Sequence, residues 1–178
     1  MNARRQFDPL ESAAWLLLCL FVFSIPWEKS VWVPGIGTIS RFLGMVALAG
    51  GLLAAIRRKW TRPPNLAFVL AAAFVVWAST TYFWSLAPEA TAARGWTFVQ
   101  LLAMAWLIWD QARAEERPPQ LMQAYVAGAV LASFATLARY AQNLQTYYRR
   151  YAAAGFDPND LALTVALSIP MAFYLASR

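Results

Sequence analysis

Residues 149–160, RRYAAAGFDPND, combine residue types that bind anions with a signal for the start of a helix. Asp157 suits an N-cap, Pro158 suits the first helical position, and Asp160 lies where a capping box has its acidic partner. The free N–H groups of a helix start favour negative charge, and Arg150 adds a planar, permanently charged group suited to phosphate oxygens. The pattern predicts an anion-binding corner. The alternative is that the two aspartates already neutralise the arginines, and the residues alone leave both readings open.

Residues 26–41, PWEKSVWVPGIGTISR, form a second connection with candidate chemistry. The Pro-Gly step predicts a turn, and the following helix is expected to be capped by Thr38 or Ser40. The simpler interpretation is an interfacial turn in which Glu28 and Lys29 are solvated.

Residues 84–94, WSLAPEATAAR, form a third connection of this kind. Pro88 predicts the first position of a helix, and Glu89 then lies at the positive end of its dipole. Arg94 follows five residues later and stays close to the surface. Capping plus an arginine at the membrane edge accounts for the pattern, and Arg94 is a secondary candidate for contact with an anion.

The elements that must position these residues are membrane-spanning helices. Hydrophobic residues make up 60% of the chain and charged residues 13%, which is typical of an integral membrane protein. Six apolar segments stand out: Leu10 to Ile25, Phe42 to Ile56, Leu66 to Trp84, Trp96 to Trp109, Leu121 to Tyr140, and Leu161 to Ala176. Several are shorter than the roughly 20 residues that span a bilayer core, so their ends must extend into the flanking sequence. We predict an all-α, polytopic transmembrane bundle of about six helices, with residues 1–178 forming a single transmembrane domain and no soluble domain.

The distribution of cations predicts the orientation of the bundle. With the N-terminus in the cytoplasm, the inner face carries Arg4, Arg5, Arg57, Arg58, Lys59, Arg62, Arg113, Arg117 and Arg178. The outer face then carries Lys29, Arg41, Arg94, Arg139, Arg149 and Arg150. The basic cluster at residues 57–62 is the strongest signal for this orientation, and it places the opening motif outside. We interpret the net charge of +6 as contact with the inner leaflet and not as binding to nucleic acid.

Composition also limits the chemistry that this chain can do alone. It contains no histidine, which excludes Ser/His and Cys/His catalysis and a Cys/His zinc site, and its single cysteine, Cys19, excludes an intramolecular disulfide. No metal or other cofactor is expected. The middles of the six apolar segments carry no ionisable residues, which argues against a transporter or channel.

Small and aromatic residues predict packing rather than chemistry. Gly44, Gly50 and Gly51 give the second helix a surface that another helix can approach closely. The tryptophans near the expected membrane interfaces predict aromatic belts. They are Trp27, Trp32, Trp84 and Trp96 outside, with Trp60 and Trp109 inside.

The spacing Arg150-x8-Asn159, within residues 150–162, resembles the outer-face motif of the O-antigen ligase and polymerase superfamily of bacterial multi-helix membrane proteins. Two other stretches are similar to that family in the expected order. They are Pro-Trp-Glu at 26–28 followed by PGIGTISR at 34–41, and Trp-Ser at 84–85 followed by Pro-Glu at 88–89 and Arg94. The resemblance covers the whole chain.

The resemblance implies an enzyme that transfers a glycan from an undecaprenyl diphosphate carrier to an acceptor such as lipid A core, a growing polysaccharide or a protein. Family members are metal-independent, lie in the bacterial inner membrane, and are thought to hold the diphosphate with outer-face arginines. The substrate-binding residues carried over are Arg150, Arg149, Asn159 and Arg94, and no catalytic residue is assigned.

Family members also continue through further helices and a long outer loop with a functional histidine. We therefore expect this chain to be the N-terminal half of a larger protein, inactive alone and active in the full-length context. The choice between ligase and polymerase stays open. Two alternatives remain: a non-catalytic membrane assembly subunit, and a small transporter.

Overall fold

The computed structural model describes residues 8–145 and 150–178 as a bundle of α-helices. They are α1 Pro9–Ser24, α2 Ile39–Arg58, α3 Leu66–Thr80, α4 Pro88–Gln111, α5 Arg117–Ala141 and α6 Pro158–Ala176. Short 3-10 helices, Ile25–Ser30 and Thr81–Trp84, follow α1 and α3. Two antiparallel strands of two residues each, β1 Trp32–Val33 and β2 Gly37–Thr38, form a tight hairpin before α2. The predicted all-α fold is confirmed.

Local capping chemistry sets the starts of three helices as the sequence predicts. Thr38 caps α2 by accepting a hydrogen bond from the backbone N–H of Arg41 at 3.4 Å. Pro88 is the first residue of α4, and Pro158 is the first residue of α6 after the cap Asp157. A proline at that position loses no helical hydrogen bond, because the first N–H groups of a helix have no partner within it.

Five helical segments in the described residues are long and apolar enough to cross a membrane. They are α1 with its following turn, α2, α3 with its following turn, α5 and α6. α4 has 24 residues and is long enough for a sixth crossing, but Glu89, Arg94 and Asp110 make it less apolar. The chain is therefore a multi-pass membrane protein.

Polar contacts assign the helix ends to two opposite faces. Arg57 pairs with Asp8 at 3.4 Å and Arg58 with Glu11 at 3.0 Å, so the end of α2 lies beside the start of α1. Arg58 also pairs with Asp110 at the end of α4. We call this side, with the connections around residues 57–62 and 110–117, the basic face. The helices run alternately between it and the opposite face, as a sequential bundle requires.

The start of α5 belongs to the basic face and the start of α6 to the opposite one. Trp15 of α1 donates its indole N–H to Gln120 of α5 at 2.8 Å. Lys29, after the far end of α1, pairs with Asp160 at the start of α6 at 2.9 Å. The opening motif, Arg94 and the 26–41 connection therefore share the face opposite the basic cluster. The assignment of that face to the outside of the cell stays a prediction.

The helices pack mainly through α1, which contacts both α2 and α5. A Cβ added to Gly44 of α2 would lie 3.1 Å from the Phe21 ring, so the predicted small-residue packing of α2 is confirmed. In α5, Gly128 plays the same part, because a Cβ there would overlap the carbonyl oxygen of Phe23. α3 packs on α4 and has no buried residue.

Candidate anion-binding site

Residues 150–160 dock onto the 3-10 helix that follows α1. Gly155 lies directly against the backbone carbonyl of Lys29, where an added Cβ would overlap the oxygen. Ser30 donates its hydroxyl hydrogen to the carbonyl of Ala154 at 3.2 Å. The first and second connections singled out in the sequence therefore form one unit, which we call the docked loop and define as residues 25–30 and 150–160.

Apolar side chains anchor the docked loop to the bundle. Ala152 and Ala153 are fully buried, and Phe156 is 4% exposed. They form one cluster with Ala132 of α5 and Leu161 of α6. Burial of a phenylalanine contributes about 2 kcal/mol, so the backbone around the site is held in place by packing and not only by polar contacts.

Trp27 also packs against this cluster, contrary to its predicted place in an aromatic belt. Its ring makes an edge contact with Phe23 at 5.6 Å, and its indole N–H is buried with no hydrogen-bond partner. The belt prediction was wrong here because the buried residues of the 150–160 segment pack against the tryptophan. Trp32, Trp84 and Trp96 are mostly exposed, as a belt requires.

The two aspartates of the motif have their own partners. Asp157 accepts the backbone N–H of Asn159 at 2.8 Å and caps α6. Asp160 pairs with Lys29 at 2.9 Å, and the ammonium lies 5.4 Å from the Phe156 ring centroid. The expected capping box does not form, because Lys29 takes the Asp160 carboxylate. The expectation that Lys29 is only solvated was wrong for the same reason.

Arg150 donates from Nη1 to the amide oxygen of Asn159 at 3.2 Å, and its side chain is exposed. Within residues 8–145 and 150–178, no carboxylate forms an ion pair with it. The structure thus joins Arg150 to Asn159, the two residues whose spacing carried the resemblance. Arg149 lies outside the described residues.

Arg94 lies apart from the docked loop. It lines a groove of about 450 Å³ between α3 and α4, together with Phe74, Trp77 and Phe98. α4 packs against α3 and α2, whereas α6 packs against α5. The structure therefore does not bring Arg94 into one cluster with Arg150 and Asn159. It leaves Arg94 as a cation at the edge of an apolar groove.

The sequence reasoning missed two polar features near the docked loop. Ser24 donates to the carbonyl of Phe21 at 2.7 Å, so the 2.8 Å contact between Ser24 and Ser40 requires Ser40 to donate. This buried pair ties the end of α1 to the start of α2. Arg139, in the last turn of α5, has a buried Nε with no hydrogen-bond partner among residues 8–145 and 150–178. In the sequence, the only indication of a role for Arg139 was its membership of the predicted outer group of cations.

The largest concentration of charge lies on the basic face. Asp110 is fully buried and accepts from the guanidinium groups of Arg58 and Arg113 and from the backbone N–H of Arg62 at 2.9 Å. These hydrogen bonds compensate for the cost of burying the carboxylate away from water. Gln111 beside it is also fully buried, and neither polar atom of its side chain has a hydrogen-bond partner in the described part of the chain.

Comparisons with protein-family models, with curated proteins and with solved structures found no match to this chain. Inference about function therefore depends on the geometry of the sites. The docked loop presents a permanently charged donor at the edge of a membrane, on a backbone that packing makes rigid. Such a group binds and stabilises negative charge, and it does not transfer protons.

Proposed function

We propose that the docked loop binds the diphosphate of an undecaprenyl-linked glycan. In this proposal the chain is part of an O-antigen ligase-like membrane enzyme that transfers the glycan to lipid A core, a polysaccharide or a protein. The observation that carries the proposal is the pairing of Arg150 with the amide of Asn159 and not with Asp157 or Asp160. A positive charge that pairs with no carboxylate among the described residues is available to an anionic substrate.

Glycan transfer requires a positive charge that stabilises the leaving group. When the bond between the sugar and the diphosphate breaks, negative charge builds on the departing diphosphate. A preorganised donor at that position is worth about 3 kcal/mol of transition-state stabilisation. The Asn159 oxygen fixes one N–H of the guanidinium and leaves other donors for phosphate oxygens.

Three further residues complete the proposed role. Arg149 would add charge beside Arg150, and Arg94 would contact the carrier separately at its groove. Asn159 orients Arg150 and need not touch the substrate. The role is one of binding and stabilisation, and we expect turnover only in a full-length protein that supplies the catalytic base.

A binding experiment on this chain tests the proposal. Purified protein should retain undecaprenyl diphosphate in native mass spectrometry and should not retain undecaprenol, which lacks the phosphates. Arg150→Ala should reduce that retention, whereas Arg178→Ala removes the same charge at the far end of α6 and should leave it unchanged. Equal retention by both variants would refute the assignment of the site.

A transfer experiment in a full-length background tests the enzymatic part. Arg150→Ala should lower glycan transfer by about 10²- to 10³-fold, the effect of removing one donor from a developing oxyanion. Expression and topology should be unchanged, because an arginine at the aqueous edge contributes little to insertion. Transfer at the wild-type rate would remove Arg150 from the mechanism.

A non-catalytic assembly subunit is the second candidate, and α3 favours it. None of its residues is buried, and Phe74, Val76 and Trp77 are each more than half exposed. A photoreactive residue at position 76 should crosslink to a defined protein in native membranes if α3 is an assembly surface. Adducts with lipid alone would leave the second candidate without support.

A further inference from the structure

A groove of about 510 Å³ opens on the basic face between the end of α4 and the start of α5. Ile108 of α4 and Leu121 and Met122 of α5 form its apolar wall, and Arg62 and Arg113 lie at its polar rim. α4 and α5 are consecutive, yet α4 packs against α3 and α2 while α5 packs against α1 and α6. The groove is the space that this divergence leaves at the edge of the membrane.

The side chain of Arg62 is held at the rim by neutral partners. Its guanidinium carbon lies 3.6 Å from the centroid of the Trp109 ring, and Nη1 donates to the carbonyls of Ala112 at 3.3 Å and Trp109 at 3.5 Å. In the part of the chain that the structure describes, no carboxylate pairs with its side chain. An arginine has five N–H donors, so Arg62 keeps both its charge and donors for an external anion.

Arg113 differs from Arg62 in this respect. It stacks on Trp60 at 4.3 Å and donates to both the carboxylate and the backbone carbonyl of Asp110. The buried Asp110 carboxylate therefore neutralises part of its charge. Arg62 is the cation at this groove that is positioned to recognise a new negative charge.

We propose that the groove binds one anionic phospholipid, with the phosphate on Arg62 and an acyl chain along Ile108, Leu121 and Met122. The ligand must carry a negative charge and an apolar chain in close succession, because the cation and the apolar wall are adjacent. Basic pockets between transmembrane helices are known to select anionic head groups in this way. Trp109 contributes an interfacial aromatic ring beneath the head group. The site lies on the face opposite the docked loop and is independent of the proposed glycan chemistry.

Lipid selectivity is the first test. Purified full chain should retain phosphatidylglycerol over phosphatidylcholine with the same acyl chains, measured by native mass spectrometry. Arg62→Gln should weaken this preference about fivefold, the change that corresponds to about 1 kcal/mol for one basic residue near an anionic membrane surface. Lys59→Gln is the matched control, because it removes the same charge from the same connection outside the groove. An equal loss with both variants would overturn the site in favour of diffuse attraction.

Two further variants keep the proposal testable if Arg62→Gln alters folding. Glu115 is exposed and lines the same groove, so Glu115→Gln should strengthen retention of phosphatidylglycerol by removing a repulsive charge. Ile108→Trp should weaken it by filling the apolar wall while every charge stays in place. Retention of phosphatidylglycerol that is unchanged in both variants would overturn the proposal.

Free inorganic phosphate separates a lipid site from a simple anion site. Millimolar phosphate should not displace phosphatidylglycerol from the protein, because phosphate makes no use of the apolar wall. Displacement by phosphate alone would show that the groove recognises a soluble anion, and the lipid assignment would then be wrong.

Discussion

Two separate constraints require a glycine at position 155. Its φ of +81° lies in the left-handed region, which side chains disfavour. In addition, a methyl group on its Cα would overlap the carbonyl oxygen of Lys29. Gly35 in the β1–β2 hairpin has a similar φ of +78° but nothing within 4 Å of an added Cβ. Substitution of Gly35 therefore tests backbone strain alone, whereas substitution of Gly155 tests the same strain together with steric overlap.

We predict that Gly155→Ala destabilises the protein more than Gly35→Ala. Gly35→Ala should cost about 1 kcal/mol of backbone strain. Gly155→Ala adds an overlap worth about 1–3 kcal/mol, because the docked loop must shift away from Lys29. Thermal unfolding in detergent measures the difference. Equal losses would show that the docked loop is looser than the structure describes.

Gln111 is a residue whose side chain we expect to lower stability. Both polar atoms of its amide are buried without a partner, and each such group costs about 1–3 kcal/mol. We predict that Gln111→Leu, which keeps a similar volume, raises the thermal midpoint, whereas Gln111→Glu lowers it by burying a charge. The same unfolding assay gives the result. A lower midpoint for Gln111→Leu would reveal a water or ligand on the amide.

At the scale of elements, some helix contacts depend on close backbone approach at a glycine and others do not. Gly128 lets α5 contact the carbonyl of Phe23 near the end of α1, and the ring of Pro26 lies 3.0 Å from the position of a Cβ there. Gly95 of α4, by contrast, would place a Cβ 3.7 Å from the Ser79 hydroxyl, which is an ordinary contact. Both glycines are helical, so they share the same helix propensity.

We predict that Gly128→Ala separates α5 from α1, and that Gly95→Ala is neutral or stabilising by up to about 1 kcal/mol. The Gly128 variant loses packing in the core beside Tyr125, at a cost of about 1–3 kcal/mol. Thermal unfolding and the yield of folded protein measure both effects. A neutral Gly128→Ala would contradict the α1–α5 contact.

The elements also show which features can be predicted from sequence. The caps at Thr38 and Asp157 and the start at Pro88 follow from residues within one helical turn, and each was predicted. The pairing of Lys29 with Asp160 joins residues 131 positions apart, and no local pattern encodes it. The buried Asp110 was missed because it closes an apolar run, and its arginine partners come from neighbouring connections. Contacts between elements require the fold, whereas caps require only the sequence near them.

At the scale of the whole molecule, the helices cross alternately between a basic face and the face of the docked loop. The basic face contains the cluster at residues 57–62, which favours the cytoplasmic side. Position 115 then lies in the cytoplasm and position 86 outside. Both residues are exposed.

Cysteine labelling in a Cys19→Ser background, which removes the single native thiol, tests the predicted orientation. Leu86→Cys should react with a membrane-impermeant maleimide in intact cells, because Leu86 is fully exposed and the predicted orientation places it outside. Glu115→Cys should react only after permeabilisation. The reverse pattern would invert the molecule and place the docked loop in the cytoplasm.

The contact between Lys29 and Asp160 has a consequence for biosynthesis. Residue 29 leaves the ribosome long before residue 160. Four further helices, α2 to α5, are therefore synthesised before the partner of Lys29 is available. During that time the carbonyl of Lys29 lacks its contact with Gly155, and the ring of Trp27 lacks the apolar residues of the 150–160 segment that pack against it. The docked loop can therefore form only after the start of α6 has been synthesised.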